Sequence, residues 1–161
     1  MTPAFLLITT QIPAVYTSVE YHNDRFDFSV SIPSFLVRAE PPVNGDGQRF
    51  HTKDGKFSIS VSGILNVLDR ALEQELDERL RDAKGKLLGV KSGKDWFSFA
   101  HRNADIVTWQ KMFLVDLKSG DGSIQAFQGI YAEYDASVET KAAPLVQKVS
   151  ASFKPGKEYW R

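Results

Sequence analysis

Three histidines are the residues of this sequence best suited to metal or acid–base chemistry. His22, His51 and His101 lie on separate segments, and no pair has the i,i+4 or His-Glu-x-x-His spacing with which a helix presents zinc ligands. The chain of 161 residues contains no cysteine, which excludes thiolate nucleophiles, disulfides and cysteine-ligated zinc or iron–sulfur sites. The spacing therefore predicts neither a metal site nor a cofactor.

Two glycine-rich acidic loops carry the residue types of calcium or phosphate sites. Asn44, Asp46 and Gln48 occupy the first, third and fifth positions of an EF-hand-like loop. Such a loop needs glycine at position six and glutamate at position twelve, where this chain has Arg49 and Gly55. The NGDG and SGDG segments also lack the Gly-Lys-Ser/Thr ending of a phosphate-binding loop and the Gly-x-Gly-x-x-Gly of a dinucleotide site. Both loops are predicted to be turns.

Serine and carboxylate chemistry has no local signature either. The chain has no Gly-x-Ser-x-Gly elbow, and its serines alternate with apolar residues as they do on the wet face of a sheet. Acidic residues concentrate in residues 73–82, where ion pairs along a helix account for them better than paired catalytic carboxylates. A Ser–His–Asp site assembled from distant segments, with His51 or His101 as the base, stays open as a small-hydrolase alternative.

Aromatic and basic residues concentrate in DWFSFAHRNADIVTW, residues 95–109. In a strand, Trp96 would share one face with Ser98 while two phenylalanines share the other, so that one face is core and the other exposes a tryptophan. Tryptophan with arginine is typical of interaction hot spots, unless a helix covers that face. The C-terminal KEYWR either folds back onto the domain or provides a docking point. The candidate partner-binding residues are Trp96, His101, Arg102, Trp109, Tyr159 and Trp160.

Alternating apolar residues predict the strands. Phe26, Phe28, Val30 and Ile32 fall on one face of RFDFSVSIP, a strand that the proline ends. The runs QRFHT and KFSISVSG are separated by Lys-Asp-Gly, whose glycine supplies the positive φ of a tight turn, and so predict a hairpin. Strand patterns return in KLLGV, DWFSFAH, DIVTWQKMFLVD and IQAFQGIYAEY, the last two joined by the turn KSGDGS.

Two segments change to a helical period. Leucines at spacing four predict a long amphipathic helix in residues 66–85, with Asn66 as N-cap and Gly85 just after its end. The segment AAPLVQKVSASFKP predicts a short helix with a proline near its first turn. Short turns between consecutive strands favour an antiparallel β-sheet, so the predicted fold is α+β, with one long and one short helix packed on that sheet. The ion pairs predicted on the long helix are Glu75–Arg79 and Asp77–Arg81.

Length and composition fit a single α+β domain over residues 16–155. Apolar residues make up 42% of the chain, which permits a substantial core without disulfides. Residues 1–15 form an apolar segment, either the remnant of an export signal or an arm packed on the domain, and residues 156–161 form an aromatic tail. Twenty basic and twenty acidic residues balance, which argues against nucleic-acid binding, and no stretch is apolar enough to span a membrane.

Several of these patterns together resemble a known group of proteins. YHNDRFDFSVSIP, NGDGQRF, KDWFSFAHRNADIVTWQKM and LVQKVSASFKP are similar to segments of bacterial proteins with the Mog1/PsbP-like fold, which usually carry secretion signals. The resemblance covers residues 21–155 and implies an antiparallel sheet sandwiched by helices. It further implies a non-catalytic binding or assembly module that acts on a protein partner. The implied location is the periplasm, or the cytoplasm if residues 1–15 are not the remnant of a signal. A more specific alternative is an immunity protein that neutralises a secreted bacterial toxin by stoichiometric binding.

Overall fold

A computed structural model describes residues 12–160 as an α+β domain built on one large sheet. Two α-helices accompany the strands, α1 (Leu72–Asp82) and α2 (Glu139–Ser152), and a 3-10 turn (Ala136–Val138) precedes α2. The strands are β1 (Ser18–His22), β2 (Ser29–Pro33), β3 (Val37–Arg38), β4 (Gly47–His51), β5 (Phe57–Leu65), β6 (Lys86–Ser92), β7 (Trp96–Asn103), β8 (Ile106–Ser119) and β9 (Gly122–Asp135).

The large sheet has seven antiparallel strands in the order β3-β4-β5-β9-β8-β7-β6. Strands β8 and β9 are 14 residues each and pair along their whole length, which makes them the spine of the sheet. Strands β1 and β2 form a separate two-stranded hairpin. The predicted antiparallel sheet with two helices is confirmed, and β6 is its longer edge because β3, at the other edge, has only two residues.

The hairpin predicted within residues 44–63 is confirmed. Phe50 of β4 pairs with Ile59 of β5, and the turn between them places Gly55 at φ +70°. Thr52 closes the turn, because its amide donates to the carbonyl of Phe57 at 3.0 Å and its hydroxyl accepts from the amide of Phe57 at 3.2 Å. Glycine is needed at position 55 because L-residues with side chains rarely adopt that φ.

The two faces of the sheet are covered unequally. Helix α2 and the β1–β2 hairpin cover one face, here called the α2 face, and enclose the main core with Phe28, Phe57 and Val146. Helix α1 covers only part of the opposite α1 face, where a small cluster joins Leu72 to Phe97 and neighbouring side chains. The remainder of the α1 face is polar and open to solvent, including Arg49, Ser60, Ser62, Tyr131 and Glu133.

Helix α1 is shorter than predicted, and the prediction of Asn66 as its N-cap is wrong. The Asn66 side chain donates to the carbonyl of Arg70 at 2.9 Å and accepts from its amide at 3.0 Å, which closes a separate turn before the helix. Asp69 within that turn has φ +48°, a left-handed conformation that interrupts helical geometry. Leu68 is consequently exposed, and α1 has 11 residues against 14 for α2, the reverse of the predicted lengths.

The ion pairs of α1 follow the prediction in part. Glu75 accepts from Arg79 at 2.7 Å, as predicted, and also from Arg70 at 3.1 Å. Arg81 pairs with Glu78 at 2.6 Å, one position from the predicted partner, so that prediction is wrong. The spacings i,i+3 and i,i+4 are both within reach on a helix, and an exposed arginine selects between them at little energetic cost.

The chain termini pack onto the domain where the structure describes them. Ile12 is buried in the main core, whereas most of the predicted segment 1–15 lies outside the described residues. Tyr159 is buried too, and its hydroxyl accepts from the guanidinium of Arg25 at 2.8 Å, so this part of the C-terminal tail folds back. Within residues 12–160, no helix is both long enough and apolar enough to cross a membrane.

Candidate binding surface

The edge strand β6 is exposed in every one of its seven residues. Three of these residues are apolar: Leu87, Leu88 and Val90 retain 49%, 45% and 40% of their accessible surface. An exposed edge presents unpaired backbone groups, and apolar side chains along it make it a template for pairing with another strand. Strand β6 is therefore the leading candidate for a binding surface.

The side chains of β6 are sorted by charge between the two faces. Lys86 and Lys91 share the α2 face, whereas Leu87 and Val90 share the α1 face, according to their pairing with β7. A one-residue register shift around Leu88 allows this arrangement, because without it the alternation would place Leu87 and Val90 on opposite faces. The edge is basic on one side and apolar on the other.

The outward hydrogen-bonding groups of β6 follow from its pairing with β7. The amide of Gly93 donates to the carbonyl of Trp96 at 2.8 Å, which fixes the hydrogen-bonded positions of this hairpin. Because such positions alternate in an antiparallel pair, the backbone groups of Lys91 point toward β7. Those of Val90 and Ser92 point away from the sheet, where a further strand could meet them.

The segment containing β6 is strongly basic in a chain with no net charge. Residues 84–94 read KGKLLGVKSGK, with four lysines and no acidic residue. All four lysines are exposed, and none makes an ion pair with another residue of the described range 12–160. Their charges are available to a partner. The lysines are Lys84, Lys86, Lys91 and Lys94.

Two glycines hold the ends of β6 against β7. Gly85 has φ +84°, and a Cβ at that position would lie 2.1 Å from the carbonyl oxygen of Arg102. A Cβ on Gly93 would lie 2.2 Å from Nε1 of Trp96, whose indole packs over this turn. Side chains at either position would push β6 away from its neighbour.

A shallow groove lies beside β6 on the α2 face. It has a volume of 250 Å³ and is lined by Leu88, Gly89 and Lys91 of the edge together with Trp109 of β8 and Gln147 of α2. Gly89 presents no side chain, and a Cβ placed there would meet nothing within 4 Å. The groove is therefore open toward the edge of the sheet.

The structure places Trp96 on the α2 face, half-buried. Its ring lies 4.3 Å from Nζ of Lys111, which also lies 5.0 Å from the ring of Phe113. Burial lowers the pKa of Lys111, and the nearby carboxylate of Asp95 opposes that shift. Trp96 is thus one side of a cation–π sandwich rather than a fully exposed anchor.

Arg102 and Trp109 share the α2 face with Trp96. Arg102 forms an ion pair with Glu139 at the start of α2, and its Nε is buried without a hydrogen-bond partner in residues 12–160. Trp109 packs partly against the main core and partly lines the groove. Three of the six candidate residues are thus brought to one face, although α2 covers much of it.

The other three candidates lie elsewhere. His101 is on the α1 face, with its ring stacked on Phe99 at 6.2 Å. Tyr159 and the exposed Trp160 lie beside Lys118 near the far end of β8, about 30 Å from Trp109 at the rise of an extended strand. The role of these residues in partner binding stays a prediction.

The three histidines remain apart. His51 is on β4 and His101 on β7, with three strands between them, and His22 lies on the separate hairpin near two aspartates. In the part of the chain that the structure describes, no three histidine, aspartate or glutamate side chains are grouped closely enough to hold a metal ion.

The sequence alone does not identify β6 as a candidate binding surface, although it carries a signal. The pattern of KLLGV predicts only a strand, yet lysines that flank a short apolar strand are common at sheet edges, where they oppose unwanted pairing. That signal becomes informative once the strand order is known, because only then is β6 an edge.

Sequence comparison assigns this chain to no family: no family model matches it, and no curated protein is significantly similar to it. A specific kinship with Mog1/PsbP-like proteins therefore stays a prediction. The coarser prediction of an α+β fold is confirmed.

Proposed function

We propose that this protein is a non-catalytic binding module of the bacterial periplasm, which takes an extended segment of a partner protein as an additional strand along β6. One observation carries the proposal: β6 combines outward backbone groups at Val90 and Ser92 with three exposed apolar side chains, those of Leu87, Leu88 and Val90. In strand addition, main-chain hydrogen bonds supply affinity and alternate side chains supply specificity. The periplasmic location is supported by the resemblance of the strand motifs to exported bacterial proteins.

The charge pattern of β6 specifies the chemistry of the partner segment. A strand added to this edge would place alternate side chains beside Leu87 and Val90 on the α1 face and beside Lys86 and Lys91 on the α2 face. Apolar residues suit the first set and acidic residues the second, because cross-strand pairs stabilise when apolar surfaces or opposite charges meet. The expected segment alternates apolar and acidic residues.

The open groove gives this pattern a central anchor. Gly89 lies between the two lysines on the α2 face, and the groove behind it reaches Trp109. At the position opposite Gly89, the alternation is expected to be broken: an apolar side chain takes the place of an acidic one and enters the groove, flanked by the acidic residues. Through this contact Trp109 would take part in binding, as the sequence predicts, although its side chain is not fully exposed.

A second copy of this chain fits the edge less well than an acidic segment. Pairing β6 with itself would bring Lys86 and Lys91 of both copies together on one face. Like charges directly opposite each other destabilise a strand pair. Lysines on an edge strand also oppose self-association in general. The same residues thus disfavour a homodimer and favour an acidic partner.

Synthetic peptides test this proposal directly. The probes are fluorescent nine-residue peptides that alternate glutamate with valine or isoleucine but have leucine in place of the central glutamate. In the control peptides, lysine replaces each glutamate. We expect saturable binding of the acidic peptides only, weakened by added salt because exposed charges are screened. Equal binding of both sets, or no saturable binding of the acidic peptides, would contradict the proposal.

A surface variant with a matched control locates the binding. Changing Leu87, Leu88 and Val90 together to serine is expected to weaken peptide binding by at least about tenfold, since the lost apolar contacts amount to more than about 1.4 kcal/mol. The control replaces three apolar residues elsewhere, each more exposed than those of β6, by serine: Val43, Val67 and Leu68. Fluorescence anisotropy should show the loss in the first variant alone, and the same loss in both would exclude β6.

A further inference from the structure

The α1 face contains a second site that the β6 edge does not use. Here the C-terminal half of α1 stands over the open part of β7, β8 and β9 and leaves a cleft of 520 Å³. That volume is within the range of about 300–1,000 Å³ typical of small-molecule sites. The cleft is lined mostly by polar side chains.

The floor of the cleft is a cross-strand row of hydrogen-bonding groups. His101 of β7 is opposite Thr108 of β8, which is opposite Glu133 of β9. Two residues along these strands, and on the same face, Gln110 of β8 is opposite Tyr131 of β9. Because alternate residues of a strand share a face, the register alone assembles these five side chains from three strands.

Gln110 supplies a donor that the protein leaves unused. The residue is only 7% exposed, and its Oε1 accepts from Nη1 of Arg79 at 3.0 Å. Its Nε2 has no hydrogen-bond partner in residues 12–160, and the side chain lines the cleft. Within residues 12–160, Arg102 Nε is the only buried side-chain nitrogen or oxygen without a partner, so Nε2 of Gln110 is accessible from the cleft and can donate to a bound ligand.

His101 supplies a matching acceptor. Its Nδ1 lies 2.8 Å from the carbonyl oxygen of Lys84, which can only accept, so Nδ1 carries the hydrogen. In the neutral imidazole, Nε2 is then an acceptor, and it has no partner within the described part of the chain. Stacking on Phe99 holds the ring in this orientation.

Tyr131 and Ile106 add apolar surface to the polar floor. Their side chains are 41% and 39% exposed beside the cleft. The Tyr131 hydroxyl donates to Oε2 of Glu133 at 3.3 Å. Burial raises the pKa of Tyr131 and the Glu133 carboxylate reinforces the shift against an opposing Thr108 hydrogen bond, so the hydroxyl keeps its proton at neutral pH.

The formal charges around the cleft cancel. Arg79 and Lys84 oppose Asp82 and Glu133, and Arg79 is already committed to Glu75 at 2.7 Å. A cleft for an anion or a cation would carry a surplus of the opposite sign. This set of donors and acceptors instead suits hydroxyl groups, each of which can both donate and accept.

We infer that the cleft binds a neutral polyhydroxylated ligand, a mono- or disaccharide, whose hydroxyls meet Gln110, His101 and Glu133 while its C–H face packs on Tyr131 and Ile106. This site is independent of the proposed strand addition, because it lies on the open α1 face and uses none of the β6 residues. A variant that loses peptide binding along β6 should still bind the sugar, and a variant that loses sugar binding should still bind the peptide.

Titration of the isotopically labelled full chain with neutral sugars tests the inference. The panel comprises glucose, galactose, N-acetylglucosamine, maltose and lactose, followed by amide chemical shifts in NMR spectra. We expect saturable shifts at the amides of His101, Gln110 and Tyr131 with at least one sugar. Absence of saturation with every sugar up to about 50 mM, a weak limit by affinity arithmetic, would overturn the inference.

Charged probes and variants sharpen the result. Inorganic phosphate or methylammonium binding at these amides as tightly as the best sugar would overturn the neutral class. Gln110→Met should weaken sugar binding about tenfold by removing the donor, whereas Gln125→Met, at an exposed glutamine near the other end of β9, should leave it unchanged. If Gln110→Met fails to fold, Tyr131→Ala removes the partly exposed ring on which the C–H face of the sugar packs and should also weaken binding. Undiminished affinity in a folded Gln110→Met variant, or in Tyr131→Ala where that variant replaces it, would overturn the site.

Discussion

Replacing Val90 with proline is expected to weaken binding of the acidic peptides by about 100-fold or more while leaving the domain folded. The amide of Val90 points away from β7, so proline removes a donor that only an added strand would use. The ring also obstructs the approach of that strand. Loss of a main-chain hydrogen bond together with this obstruction corresponds to roughly 2.7 kcal/mol or more.

Two controls separate the backbone effect from other causes. Val90→Ala keeps the amide and shortens the side chain, so it should weaken binding only several-fold. Thermal unfolding should show that Val90→Pro stays folded, because proline is tolerated on edge strands when the lost N–H faces solvent. A folded Val90→Pro variant that binds the peptides as tightly as the parent would contradict strand addition.

Replacing Gln128 with leucine is expected to destabilise the protein by about 4 kcal/mol, a large effect for one side chain. Gln128 is completely buried at the centre of β9. Its Nε2 donates to the carbonyl of Phe26 and its Oε1 accepts from the amide of Gly156, each at 2.8 Å. Leucine would leave both backbone groups buried without partners, each at a cost of about 1–3 kcal/mol.

Urea unfolding measures this effect. Gln147→Leu, at an exposed glutamine on α2, is the matched control and should change the unfolding free energy by less than about 0.5 kcal/mol. The segment around Gly156 should also loosen in the Gln128 variant, because it loses its hydrogen bond to Gln128. Gly156 packs so closely on the carbonyl oxygen of Phe26 that this segment depends on precise placement. A loss below about 1 kcal/mol would show that the two contacts do not join the tail to the domain.

The strands could be predicted because their signal is local. Alternation in KFSISVSG identifies a half-buried strand, and Phe57, Ile59 and Val61 are all fully buried on one face. The start of α1 could not be predicted in this way. An asparagine side chain accepts the same kind of backbone hydrogen bond whether it closes a turn, as Asn66 does, or caps a helix. In the structure Asp69 has a left-handed conformation, which ends the turn before α1 begins.

The candidate sites depend on strand order and register, which a single sequence does not contain. Lysines flanking KLLGV are visible in the sequence, but their significance depends on β6 lying at the edge of the sheet. Likewise, His101 lies beside the other cleft residues only because β7, β8 and β9 pair. Glu133, in the same cross-strand row, is 32 positions further along the chain. Trp96 is half-buried, with the ammonium group of Lys111 from the neighbouring strand over its ring, and the alternation within its own strand does not predict that contact.

Amide hydrogen exchange on β6 tests strand addition most directly. In the unbound protein, the outward amides of Val90 and Ser92 should exchange rapidly, whereas the inward amide of Lys91 should be protected by β7. With a saturating acidic peptide, we expect exchange at Val90 and Ser92 to slow by at least about tenfold, with little change at Lys91. Bound peptide that leaves both outward amides exchanging at their original rates would contradict pairing along this edge.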